Sequence, residues 1–93
     1  MKLIYCEYCH DVFKLALEPR RCRCGETWGK YLPNGLDAQY AGDGAIPLGF
    51  GNTSLMFAIA NRPEEGMGKA FTAFVIPVEC PTMTHLMEIP DGD

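Results

Sequence analysis

Four cysteines stand in two close pairs near the front of the chain, Cys6-Glu7-Tyr8-Cys9 and Cys22-Arg23-Cys24-Gly25. Two tight turns that each offer two thiolates suit a tetrahedral d¹⁰ ion with soft ligands and no open coordination position. The spacing predicts one structural zinc held by Cys6, Cys9, Cys22 and Cys24. The second pair is unusually tight. Residues two apart on a strand share a face, but a turn is the better way to converge Cys22 and Cys24, with Gly25 supplying a left-handed backbone after the second ligand. A rubredoxin-type iron site uses the same four donors. Cys6 to His10 also matches the pattern for covalent haem attachment, but that reading leaves the second pair idle and normally needs export. His10 is expected beside the first jaw, either donating to a thiolate or simply exposed in the turn.

Other residues carry weaker chemistry. Cys80 and His85 supply only two ligands, so Cys80 reads as a structural thiol rather than as a second metal site or a nucleophile. Gly49, Gly51, Asn52, Thr53 and Ser54 form a glycine-rich stretch before a helix, where free amides can meet an anion. The P-loop lysine is missing, and capping by Asn52, Thr53 or Ser54 accounts for the same residues. Arg20, Arg21, Arg23 and Lys30, with the aromatics Trp28 and Tyr31, form a candidate nucleic-acid or partner face, in which arginines reach phosphates and rings stack on bases. The same arginines can also soften the charge of the thiolates. Glu64-Glu65 sits between Pro and Gly and reads as solubility, not as an acid–base dyad.

These groups must be positioned by short elements. Val12 to Leu17 alternates, with Phe13, Leu15 and Leu17 on one face of a strand. Thr27 to Leu32 reads as another strand. Asn34-Gly35 signals a hairpin into Leu36–Ala41, and Asp43-Gly44 repeats the signal into Ala45–Phe50. Pro47 should confine that strand to an edge or end it early. Leu55 to Ala60 is apolar on every side, which predicts a helix at the centre of the core, stopped at Asn61-Arg62-Pro63. Lys69 to Ile76 reads as a strand buried on both faces, and the stretch after Pro77 shows no clear element. The fold class expected is α+β: a small zinc ribbon with an antiparallel β meander and one short central helix. Residues 1–93 make one zinc-stapled domain, with 1–32 as the ribbon, 33–80 as its β/α continuation and 81–93 as a tail.

A chain of 93 residues buries a limited core and often needs a staple, to which a zinc site can contribute on the order of 10 kcal/mol. Met1 to Ile4 runs into Tyr5-Cys6 without a signal peptide, and no stretch approaches a membrane span, so a reduced cytosol is the expected setting. Net charge is −4, and a zinc tetrathiolate adds about two more negative charges. Residues 1–31 hold six of the eight Lys and Arg against four acids, while 32–93 hold two against eight. The front can touch an anion, while the whole is repelled by bulk nucleic acid.

The cysteine jaws, Gly-Lys-Tyr-Leu-Pro-Asn-Gly at 29–35, Ala-Ile-Pro-Leu-Gly-Phe-Gly-Asn at 45–52 and Phe-Val-Ile-Pro at 74–77 together resemble a group of small zinc-ribbon-like proteins of bacteriophages and prophages. The resemblance implies an accessory protein acting in a bacterial cytoplasm. With no catalytic constellation in the chain, the leading expectation is a non-enzymatic protein that binds and modulates a host protein, such as a defence or transcription factor. Acidic surface over Glu64, Glu65, Glu79 and Glu88 could then mimic nucleic acid towards a basic site. The alternatives are a nucleic-acid-binding ribbon and a small nucleotide- or phosphate-binding protein or enzyme built on Gly49–Ser54.

Overall fold

A computed structural model describes residues 1–90; Asp91, Gly92 and Asp93 of the expected tail lie outside the described residues. Eight strands and one helix make an α+β arrangement of two four-stranded sheets. The first sheet is antiparallel throughout. It contains β1 (Lys2–Cys6) between β2 (Val12–Lys14) and β6 (Ala45–Phe50), with β7 (Ala73–Val75) on the outer side of β6. The second sheet runs β3 (Arg20–Arg21), β4 (Trp28–Tyr31), β5 (Ala38–Ala41) and β8 (Met83–Leu86), and β8 lies parallel to β5.

Apolar side chains from both sheets meet to form the core. Ile4 of β1, Tyr40 of β5, Ala45 of β6 and Met83 of β8 pack together with Leu15 and Ile76. Trp28 is fully buried. The expected stripe on the second strand holds for Phe13 and Leu15 but not for Leu17, which is 63% exposed because β2 ends at Lys14.

The Asn34-Gly35 signal does connect antiparallel strands, β4 and β5. Its loop is longer than two residues: Leu32 N–H donates to Asp37 O, Gly35 N–H to Leu32 O, and Asn34 Oδ1 accepts from the N–H groups of Leu36 and Asp37. Such an Asx turn explains the asparagine. Asp43-Gly44 does not make a hairpin. There the chain leaves the second sheet, and β6 pairs with β1, Lys2 opposite Gly49 and Cys6 opposite Ala45. The meander is therefore interrupted after β5.

Pro47 is on an inner strand, not an edge, opposite Ile4. It is tolerated because the β7 pairing stops there: Ile76 N–H donates to Pro47 O, and no N–H is required in return. The helix α1 (Asn52–Ala60) is not central. Only Ala58 is buried, while Met56, Phe57 and Ile59 are more than half exposed. The two sheets fill the core between themselves and leave α1 outside. Likewise β7 is an exposed edge strand rather than one buried on both faces, and the stretch after Pro77 does contain an element, β8.

Candidate metal centre

The first jaw grows out of the end of β1. Cys6 N–H donates to Asp11 O and His10 N–H to Cys6 O, closing a turn that returns Cys9 towards Cys6. The second follows β3 in the same manner: Cys22 N–H donates to Thr27 O and Gly25 N–H to Cys22 O. In both, the residue directly after the second cysteine has a left-handed backbone, His10 at φ 61° and Gly25 at φ 81°. The second jaw reaches the same closure with one residue fewer, which is why a Cys-x-Cys spacing suffices there. His10 is exposed and its Nδ1 lies 2.6 Å from the Tyr5 hydroxyl, so it braces its turn against β1 rather than meeting a thiolate.

The four Sγ atoms of Cys6, Cys9, Cys22 and Cys24 all lie within 4.8 Å of one another, an arrangement that can hold one metal ion. Cys22 to Cys24 is 3.5 Å and Cys6 to Cys24 is 3.7 Å. Metal–sulfur bonds of about 2.3 Å in a tetrahedron place sulfurs about 3.8 Å apart, so the cluster is already near the required size. Cys6 and Cys22 are buried, Cys9 half-buried and Cys24 exposed.

Ionisation of the thiols shows what the cluster lacks. Burial pushes the Cys22 thiol up, but the Thr27 hydroxyl, the Thr27 backbone N–H with its nitrogen 3.4 Å from Sγ, and the sulfurs of Cys24 and Cys6 bring it down to about 6. Cys9 is also held below its ordinary value: desolvation raises it, and the backbone N–H groups of Asp11 and Cys24 outweigh that. For Cys24 the Glu26 N–H pulls downward, yet desolvation and the three neighbouring sulfurs push it up to about 12. Four negative charges this close are not stable without a cation between them.

Asp11 and Thr27 were not singled out in the sequence, although both support the jaws. Besides its carbonyl contact, Asp11 accepts the Arg23 N–H on Oδ2 at 2.9 Å and so ties the two jaws together. Their only signal was position, each lying just past a jaw. The segment Gly42-Asp43-Gly44 closes the site from behind. A Cβ on Gly42 would sit 2.3 Å from Glu26 O, and one on Gly44 2.8 Å from the Tyr8 ring. The Gly44 carbonyl accepts the Glu7 N–H. The centre thus joins the end of β1 in one sheet to the start of β4 in the other.

The remaining candidates are placed as follows. Trp28 is buried and unavailable for base stacking, which corrects its assignment to a contact face. Arg20 Nη1 donates to Lys14 O and Arg21 Nη1 to Gly25 O. These two neighbours on β3 point to opposite faces, so they do not share one cationic surface. Arg23 is exposed and Lys30 half-buried on β4. In the glycine-rich stretch, Gly49 is inside β6 and Gly51 is the N-cap of α1, with no side-chain cap. Ser54 Oγ donates to Gly51 O and accepts from Thr72 N–H, and Thr53 is exposed within the helix, so the expected side-chain capping is not what these residues do. Cys80 packs against the core with its Sγ 3.5 Å from Thr82 Oγ1, while His85 stacks on Tyr40 across the β5–β8 pairing. No helix among the described residues is long and apolar enough to cross a membrane. No family model, curated protein or solved structure matches the chain.

Proposed function

We propose that the chain is a zinc-stapled, non-catalytic binding protein whose partner is a bacterial host protein. The observation that carries the metal part is the four-thiol cluster within 4.8 Å, with every coordination position of a tetrahedral ion supplied by the chain. Such a closed site is structural: no position is left for a water or a substrate. Zinc suits four thiolates with no redox duty, and the same donor set supports the zinc-ribbon reading.

Support for the binding part comes from helix α1. Met56, Phe57 and Ile59 expose 58–69% of their surface, and Lys69 Nζ lies 5.8 Å over the Phe57 ring. Exposed apolar side chains gathered on one short helix fit an apolar groove on another protein. The resemblance to phage proteins supplies the setting. Nucleic acid fits less well, with Trp28 buried and net charge −4.

Two measurements test the two parts separately. Elemental analysis of the purified protein is expected to give one zinc per chain, and Cys22→Ser or chelation is expected to unfold the jaws, since a structural zinc contributes about 10–16 kcal/mol. A metal-free chain with an unchanged melting temperature refutes the zinc reading. A pull-down from nuclease-treated bacterial lysate should recover a stoichiometric protein that Phe57→Asp no longer captures; retention of the partner by that variant removes α1 from the interface.

A further inference from the structure

Among the described residues each sheet has two outer strands, β2 and β7 in the first and β3 and β8 in the second. Three of these are guarded against pairing with another chain: β2 carries Lys14, β3 consists of Arg20 and Arg21, and β8 presents Thr84 and His85 to solvent. Charged or polar side chains on an outer strand are a common device against edge-to-edge association. β7 has none. Ala73, Phe74 and Val75 are all exposed, and no Asp, Glu, Lys or Arg occurs from Ala70 to Val78.

The pairing with β6 shows which backbone groups of β7 face outward. Gly51 N–H donates to Thr72 O, and Ile76 N–H donates to Pro47 O. Thr72 and Ile76 therefore aim their peptide groups at β6, as does Phe74 midway between them. The alternation of an antiparallel strand turns those of Ala73 and Val75 the other way, where no strand lies among the described residues. The flanks of β7 carry opposite charges. Lys69 stands five residues before Phe74 and Glu79 five after it, both exposed. An antiparallel strand of the same sequence, centred on Phe74, brings Lys69 of each copy to the end where Glu79 of the other lies. A parallel copy would instead set lysine beside lysine and glutamate beside glutamate.

We propose that two copies of this chain associate edge to edge through β7, antiparallel about a two-fold axis at Phe74. Ala73 and Val75 of each copy exchange backbone hydrogen bonds with Val75 and Ala73 of the other, and the first sheet continues across the joint. Phe74 meets its counterpart at the axis, and the oppositely charged flanks come together on either side. Such a joint is closed, because it consumes both free edges and ends at two copies. A strand pairing this short belongs among small interfaces, below about 1,200 Å² in total, so the dimer is a weak one, with a Kd on the order of 10–100 μM. The joint uses β7 and not α1, so it goes beyond the partner reading above and does not depend on it.

Sedimentation equilibrium of the metal-loaded protein is the test. Its mass should rise from 10.3 kDa towards twice that value as the concentration passes through the micromolar range. The amide protons of Ala73 and Val75 should exchange more slowly at the high end of that range. Val75→Pro removes a donor that β6 does not use, and should leave the chain folded but monomeric. Lys69→Glu sets like charges together at both flanks and should weaken association about fivefold, while adding Glu79→Lys to it should restore the wild-type value. Those charge variants, at exposed positions, decide the matter should Val75→Pro fail to fold. A protein that stays at 10.3 kDa up to about 1 mM overturns the proposal. So does a dimer that the paired charge reversal does not restore, or one that Phe57→Asp abolishes, since α1 would then be the joint. Masses climbing past two copies overturn it as well, because they would mean open-ended pairing with another edge.

Discussion

Replacing Gly42 by alanine should damage the protein far more than the same change at Gly25, although both glycines have positive φ and both adjoin the second jaw. At Gly25, φ is 81° and a Cβ would meet no heavy atom within 4 Å. The cost there is the left-handed backbone alone, about 1–2 kcal/mol. At Gly42, φ is 114° and the new Cβ would fall 2.3 Å from Glu26 O and 3.0 Å from Thr27 Cα. Both obstacles are backbone atoms, which cannot swing aside as a side chain does. Backbone displacement adds about 1–3 kcal/mol to the strain, for a total of about 2–5 kcal/mol. A domain of this size has about 5–15 kcal/mol in all, and each kcal/mol moves Tm by about 4–8 °C. Gly42→Ala should therefore melt roughly 8–40 °C below wild type and Gly25→Ala roughly 4–16 °C below, the displaced backbone accounting for the difference. Because Glu26 and Thr27 are the residues displaced, and Thr27 donates to Cys22 Sγ, Gly42→Ala should also lose metal more readily to a chromophoric chelator. Calorimetric melting of the three proteins is the assay. Melting points for the two variants within about 5 °C of each other would refute the reasoning, since that gap corresponds to only about 1 kcal/mol.

Acid should release the metal only well below neutrality. The Cys22 thiol at about 6 lies below its unfolded value, so its contribution is complete above the ordinary thiol range and is lost as pH falls through about 6. Cys9 shifts in the same direction, whereas Cys24, pushed up to about 12, prefers its proton until a metal displaces it. Metal binding draws the thiols further towards thiolate, which favours release on the acid side; half-release near neutral pH, read with a zinc indicator, would contradict this. Thr27→Val removes a buried hydroxyl that makes no well-aligned hydrogen bond yet helps to hold the Cys22 thiol down, while keeping the backbone N–H on that sulfur. It should raise the pH at which metal is released, and an unchanged release curve would mean that the hydroxyl does not serve the Cys22 sulfur.

The four-thiol cluster was legible because ligand chemistry is local: two short spacings predict two turns, and Gly25 marks the backbone that one of them needs. Asn34-Gly35 was legible for the same reason, its geometry being set by the side chain of Asn34 and the freedom of Gly35. Burial was not local. Leu55 to Ala60 reads as a core helix on hydrophobicity, but whether a place in the core is open depends on how two distant sheets meet. Pro47 misled because edge and interior positions differ only through pairing with β7, far along the chain. β8 escaped notice because Met-Thr-His-Leu has neither strict alternation nor a turn signal, and its pairing with β5 is parallel.

The pairing of β8 with β5 bears on the timetable of synthesis. All four thiols lie at or before Cys24, whereas the outer side of β5 waits for Met83 to Leu86. At about 5–20 residues per second, the ribosome makes these two segments on the order of 3–12 s apart, and jaws of this length close in far less than a millisecond. We expect a nascent chain offered zinc to bind it at the four thiols while β5 still offers an unpaired strand to any neighbour. Metal loading of ribosome-arrested chains that end after β6 would reveal it; chains that stay metal-free until β8 emerges would rule it out. Scarcity of metal would then act at birth, prolonging the interval in which a half-built sheet can aggregate, rather than by stripping finished molecules.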